Sequence, residues 1–171
     1  MKANILCIAG GGSTYTAGIV NTLMENFERF PISEIRLYDI DEEKNHQSKL
    51  IIDYLVKKSD VDIHVIASSD PQEAFTNVDY IFSQIRAGGL SMREQDEKIP
   101  LRHGLVGQET CGLGGFSYGL RSIKAFLEMM ALIQTYAPNA WVLNYTNPES
   151  LISEAVRRAY PHANIINACD M

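Results

Sequence analysis

The chain has 171 residues, of which 46% are hydrophobic and 21% charged, a balance that fits one soluble globular domain and excludes disorder and collagen. A chain of this length buries roughly 70% of the surface its unfolded form exposes, so neither a disulfide nor a structural metal is needed to hold a core. A net charge of -6 at pH 7 repels a phosphate backbone, which excludes nucleic acid and an anionic membrane surface as partners and leaves a small molecule as the ligand class. Cys7, Cys111 and Cys169 are an odd set without a C-x-x-C pair, which fits no disulfide framework or zinc finger and points to a reducing cytoplasm. No apolar run is long enough for a signal peptide or a membrane span.

Asn4–Ala9 reads as a buried first strand, followed by a helix over 14–27 with Ile19, Val20, Leu23, Met24 and Phe27 on one face. A second strand over 35–38 ends at Asp39. Asp41 caps a helix running to about 58, with Leu50, Ile51, Tyr54 and Leu55 as its apolar stripe and Lys57 and Lys58 at the negative end of its dipole. Residues 62–67 and 78–85 give strands three and four. A polar, glycine-bearing stretch over 86–115 has no regular period, and long loops of that kind are usually functional. A helix over 118–136 follows, with Ile123, Phe126, Leu127, Met130 and Ile133 inward, then a fifth strand over 140–143. Pro148 suits the first position of a helix capped by Asn147, with Leu151, Ile152, Ala155 and Val156 inward, and 164–168 is a sixth strand.

Strands alternating with helices predict an α/β fold: a doubly wound, Rossmann-type, mainly parallel six-stranded sheet with helices on both faces. Ligands of such sheets bind outside the carboxyl ends of the strands, here near 10–14, Asp39, Arg86, 144–147 and 169–170. Gly10, Gly11, Gly12, Ser13 and Thr14 join a strand to a helix, so their backbone N–H groups and the positive helix end suit a pyrophosphate. Tyr15 stands where the third glycine of G-x-G-x-x-G belongs, so the match is imperfect. Asp39 ends the second strand, where a carboxylate accepts both ribose hydroxyls and repels a 2′-phosphate, favouring NAD over NADP.

Arg86 and Arg93 suit an anionic substrate group or are merely solvated, and Glu109 is either a ligand for a hydroxylated molecule or a surface acid. Gly112, Gly114 and Gly115 form a second anion nest or a hinge. Asn147 either caps its helix or bonds a substrate hydroxyl. Cys169 is a buried thiol or a metal ligand, and Asp170 beside it is placed to donate a proton. Cys7, in mid-strand, is inert core, and His46, His64, His103 and His162 have no ligand spacing.

GGGSTYT, the YDID after strand two, IRAGGLSMREQDEKIPLRHGLVGQETCG, NYTNP and the final CDM together resemble glycoside hydrolase family 4, especially its 6-phospho-α-glucosidases. The resemblance covers residues 1–171, under half of a family enzyme. It implies an NAD-binding domain over 1–171 with the substrate and catalytic part absent. It also implies redox glycoside cleavage, an exception to the two-carboxylate mechanism: sugar C3 is oxidised, C2 deprotonated and the C1–O bond broken by elimination, with NAD+ and Mn2+ as cofactors. Carried over by motif, Gly10 to Thr14 hold the pyrophosphate, Asp39 the adenosine ribose, Arg93 the sugar 6-phosphate, Asn147 the substrate and Cys169 the metal. Asp170 matches the aspartate with which α-type enzymes protonate the leaving oxygen, where β-type enzymes tend to carry asparagine. The family's histidine ligand, tyrosine base and further arginine lie beyond 171, so no turnover is expected from the chain alone, and its whole form is expected to be a homo-oligomer acting on a phosphorylated disaccharide or glucoside. Two other readings stand: a lactate/malate-type 2-hydroxy-acid dehydrogenase, against which Cys169-Asp170 and the GQETCG loop argue, and an NAD-sensing module without catalysis.

Overall fold

The structure is a computed structural model that describes residues 3–169. Six parallel strands, β1 (Asn4–Ala9), β2 (Ile32–Tyr38), β3 (His64–Ser68), β4 (Tyr80–Ser83), β5 (Trp141–Asn144) and β6 (Ile165–Asn167), form one sheet in the order β3-β2-β1-β4-β5-β6. This is the predicted doubly wound sheet. The strand order reverses between β1 and β4, and ligands of such sheets bind in the crevice this reversal opens.

Period-two alternation in the strands feeds two cores. Leu6 and Ile8 of β1 pack with Ile35, Leu37 and Val20 under α1 (Thr16–Glu25) and α2 (Glu42–Lys58). Cys7 and Ala9 face the other way, among Phe75, Phe126, Met130 and Ile152 from α3 (Pro71–Phe75), α5 (Gly112–Tyr136) and α6 (Glu149–Ala159). Burial pushes the Cys7 thiol far above its ordinary value, which bears out its reading as inert core. Among the described residues no helix is long and apolar enough to cross a membrane.

Several expectations need correction. The irregular stretch over 86–115 contains a 14-residue helix, α4 (Gly89–Arg102), and α5 begins at Gly112 rather than near 118. Helix α4 buries only Asp96 and Pro100 while Leu90, Ile99 and Leu101 are exposed, so it has no apolar stripe to read. The glycines of α5 are needed for close approach: a Cβ on Gly114 would stand 2.4 Å from the Gln108 carbonyl oxygen and 2.6 Å from that of Asp96. In α2 the inward residues are Asn45 and Ile52, and Leu50, Ile51 and Tyr54 are exposed. Asn45 sets that rotation, because its amide must reach the Leu37 and Ser68 carbonyls at 2.9 and 3.3 Å. The short helix α3 has no counterpart among the expected elements, although Asp70 caps it through the Gln72 N–H and Pro71 opens it. Helix α6 starts at Glu149 with Pro148 in the cap position and no side-chain cap, so Asn147 is not a helix cap.

Candidate functional site

The loop after β1 is built around the absence of side chains. Gly10 and Gly11 donate to the Tyr38 carbonyl, both at 2.9 Å, which lays the loop across the end of β2. Only glycine fits at position 11, where a Cβ would meet Asn45 Oδ1 at 2.7 Å and Leu37 Cα at 3.0 Å. The Gly12 N–H donates to Asp39 Oδ2 at 2.9 Å, and the Asp41 N–H donates to Asp39 Oδ1 at 3.0 Å. The carboxylate of Asp39 is therefore held by two backbone groups. Ser69 Oγ fixes the same residue by donating to its carbonyl at 2.7 Å. The N-cap residue of α1, Tyr15, makes no side-chain cap; the Tyr15 N–H donates to Ser13 Oγ at 3.3 Å and the Thr16 N–H to the Ser13 carbonyl at 3.1 Å.

Gln84, just past β4, donates to the Gly10 carbonyl at 3.2 Å and to Thr16 Oγ1 at 2.9 Å, tying the glycine loop across the crevice. Two residues on begins a second group of charges. Arg86 pairs with Glu109, and the second oxygen of Glu109 lies 3.3 Å from Arg93, whose Nε donates to Glu97 at 2.9 Å. These two bonds hold the Arg93 guanidinium more firmly protonated, Glu97 first and Glu109 second. Tyr118, buried, places its ring 5.6 Å from the Arg86 guanidinium and 5.5 Å from that of Arg121. Burial raises its phenol above the ordinary value, against the pull of Arg86. Arg121 reaches the buried Asp96 of α4 at 2.6 and 3.3 Å and the Ala87 carbonyl at 3.1 Å, so it fixes the loop that carries Arg86.

The ends of β4, β5 and β6 are joined by a buried polar network. Ser83 and Thr146 hydroxyls lie 3.0 Å apart, Asn144 donates to Asn167 Oδ1 at 2.9 Å, and the Thr146 N–H donates to Asn144 Oδ1 at 2.8 Å. The Ala168 N–H donates to the Asn144 carbonyl at 2.9 Å, which holds the chain just before the exposed Cys169.

The structure thus bonds Gly12 to Asp39 directly, ties Gly10 and Gly11 to the preceding Tyr38 carbonyl, and leads Ser13 and Thr14 into α1. It binds Arg93 and Arg86 through Glu109 rather than leaving them solvated. Asn147 and Cys169 follow β5 and β6 on the same sheet edge, with Asn147 outside the capping role. Asp170 lies outside the described residues. Gln84, Asp96 and Arg121 are absent from the sequence expectations, because no motif marks them. Among the described residues no group of three or more His, Cys, Asp or Glu is placed to hold a metal ion.

The family profile described as "Family 4 glycosyl hydrolase" matches residues 5–171. The chain is 48% identical over 171 residues to the 6-phospho-alpha-glucosidase of Leptotrichia buccalis, covering all of this chain and 39% of that relative. A crystal structure of a 6-phospho-alpha-glucosidase from gut microorganisms in complex with NAD and Mn2+ superposes with a TM-score of 0.96 at 43% identity, over 99% of this chain and 39% of that one. A 6-phospho-alpha-glucosidase structure from the same source with NAD and glucose-6-phosphate gives a TM-score of 0.95 at 43% identity, over 99% of this chain and 40% of that one. The chain therefore spans about two fifths of the length of these relatives.

Proposed function

The chain belongs to family 4 of the glycosyl hydrolases, and from that premise we propose that it is the NAD-binding part, over 1–171, of an enzyme that hydrolyses 6-phospho-α-glucosides. The observation that carries the cofactor reading is the bond from the Gly12 N–H to Asp39 at 2.9 Å, which joins the glycine loop to an acid at the switch point. Gly10 to Thr14 and the first turn of α1 take the pyrophosphate, and Asp39 takes the adenosine ribose. Bound there, NAD+ supplies a hydride acceptor for a sugar carbinol. The chain's own residues orient the reactants: Arg93 holds the sugar 6-phosphate and Asn147 a sugar hydroxyl.

Relatives crystallised with Mn2+ support Cys169 as a metal ligand. Among the described residues no group of three or more His, Cys, Asp or Glu is placed to hold a metal ion, and the Cys169 thiolate is the contribution assigned to this chain for a divalent cation. Asp170 is assigned as the proton donor to the leaving oxygen, the feature that favours α over β substrates. The whole protein works as a homo-oligomer in a reducing cytoplasm, where free thiols such as Cys111 and Cys169 persist.

Calorimetric titration of the chain with NAD+ and NADP+ tests the cofactor part. Saturable NAD+ binding that Asp39→Ala weakens is expected, and equal or tighter NADP+ binding would overturn it. For the whole protein, p-nitrophenol release from 6-phosphorylated α- and β-glucosides, with NAD+, Mn2+ and reductant, tests the substrate class. Cleavage of the β-anomer alone would remove Asp170 as a marker.

A further inference from the structure

Helix α2 buries Asn45 and Ile52 against the sheet, and at helical spacing the direction opposite to them runs along Glu43, Gln47, Leu50, Ile51, Tyr54 and Lys58. All six are exposed, the apolar three by 57% at Leu50, 53% at Ile51 and 56% at Tyr54. The two charges lie on this stripe rather than beside it. Gln47 donates to the Glu43 carboxylate at 3.4 Å, and the Lys58 ammonium stands 4.8 Å from the centre of the Tyr54 ring. The outer stripe of α2 is therefore acidic at one end, apolar in the middle and basic at the other. Each charge also suits the dipole of its own helix, which explains the ends but not the run of apolar side chains between them.

We propose that this stripe is an isologous interface between two copies of the chain and, resting on the homo-oligomer reading, one of the surfaces through which the whole protein assembles. The stripe is its own complement. Its midpoint falls between Leu50 and Ile51, and Glu43 and Lys58 stand at equal distances from that point, roughly 11 Å along the axis in opposite directions. A second α2 laid antiparallel on the first, about a two-fold axis at the midpoint, brings Glu43 opposite the partner's Lys58 and Lys58 opposite the partner's Glu43. Leu50 and Ile51 then pack on their own counterparts at the centre, and Gln47 meets the partner's Tyr54. Parallel packing would oppose like charges at both ends. Lys44, the cation nearest the acidic end, is paired with Asp41 at 2.7 Å, which offsets its repulsion of the partner's Lys58. One helix pair buries less than the ~1,200 Å2 at which stable interfaces begin, so the contact makes a weak, reversible dimer.

The test is sedimentation equilibrium of the 171-residue chain over about 10–500 µM, where a monomer–dimer equilibrium is expected. Glu43→Lys puts like charges opposite each other at both ends, as does Lys58→Glu, and each variant alone should dimerise about tenfold more weakly than the parent. Mixing the two variants is decisive. In a heterodimer each altered end meets its complement, so the mixture, with one variant labelled, should associate within about threefold of the parent affinity, which a folding defect in either variant would not restore. The double variant Glu43→Lys, Lys58→Glu should likewise dimerise as the parent does. Glu94→Lys makes the same charge change on α4, away from the stripe, and should leave the dimer within about twofold, which separates the facing pair from net charge. The proposal is overturned if the chain is monomeric throughout that range, if Glu43→Lys associates like the parent, or if the mixture is no tighter than either variant alone. Association that survives both reversals would place the contact on another surface and remove α2 from it. A whole protein that is monomeric by light scattering would remove the homo-oligomer reading without touching the outcome of the mixing experiment.

Discussion

Replacing Asp39 by asparagine keeps the side chain's shape and removes its charge, yet the hydrogen bonds make it far from neutral. Both carboxylate oxygens accept backbone N–H groups, from Gly12 at 2.9 Å and from Asp41 at 3.0 Å. An amide has one acceptor oxygen, so one of these N–H groups must face the NH2 of the substituted side chain. Leaving a partly buried donor unmet costs about 1–3 kcal/mol, and the cheapest relief is for the amide to turn away from the glycine loop. The ribose then loses a charged acceptor for a neutral and misplaced one, a difference of about 1.5–2 kcal/mol, or a 10- to 30-fold rise in the NAD+ dissociation constant. NADP+ should gain little. Repulsion of its 2′-phosphate is gone, but the nearby Lys44 ammonium is engaged by Asp41 at 2.7 Å, and no arginine follows β2 before α2 ends. Calorimetry with both cofactors at one ionic strength reads the two constants. An NAD+ affinity within about twofold of the parent, or NADP+ binding that overtakes it, would show that Asp39 is a structural acid and refute the reasoning.

Other perturbations reach the scaffold beneath the site. Arg121→Met leaves the Asp96 carboxylate, 3% exposed, without its cation and should cost about 3 kcal/mol in urea denaturation; a loss below ~1 kcal/mol would mean that water replaces the guanidinium. Gly114→Ala drives a methyl group to within 2.6 Å of two carbonyl oxygens that belong to backbone, and calorimetric melting should show a loss of about 1–3 kcal/mol. Cys7 has a thiol raised by burial from an ordinary value of 9.0. Its neutral form is kept on folding, so its contribution is intact below pH 9 and is lost above it, at a slope of about 1.4 kcal/mol per pH unit that Cys7→Ala should remove. In the native chain a thiol reagent should titrate Cys111 and Cys169, which are exposed, and reach Cys7 only on unfolding; three fast-reacting thiols would refute the burial argument.

The parts of the fold legible in the sequence are those where one physical rule acts alone. The strand β1 is a buried apolar run, α1 presents Ile19, Val20, Leu23 and Met24 at helical spacing, and Asp41 accepts the Lys44 N–H as its cap position requires. Helix α2 misleads because a polar residue decides its rotation. Asn45 is 2% exposed and spans the ends of β2 and β3, so its face, rather than the apolar run Leu50–Ile51, is the inner one. Apolar counting assigns that residue to solvent. Asn147 suggests a cap because asparagine before Pro-Glu is a common helix start, but Pro148 itself takes that place.

The candidate site divides in the same way. The glycine loop and Asp39 are close in sequence to strands that place them, so local pattern and tertiary position agree. The charge cluster is different in kind: Arg86, Arg93, Glu97 and Glu109 come from a loop, a helix and a second loop, and only the packing of α4 on α5 makes them neighbours. That packing rests on Asp96 and Arg121, a charged pair, and on glycines at 107, 114 and 115 whose missing side chains admit backbone. Charged residues and glycines are what a sequence reading assigns to a surface loop. Here they are the contact itself: α4 buries only Asp96 and Pro100, and Asp96 meets Arg121 of α5. The polarity that hid α4 in the sequence is the polarity of that contact, where a charged pair and missing side chains stand in for an apolar stripe.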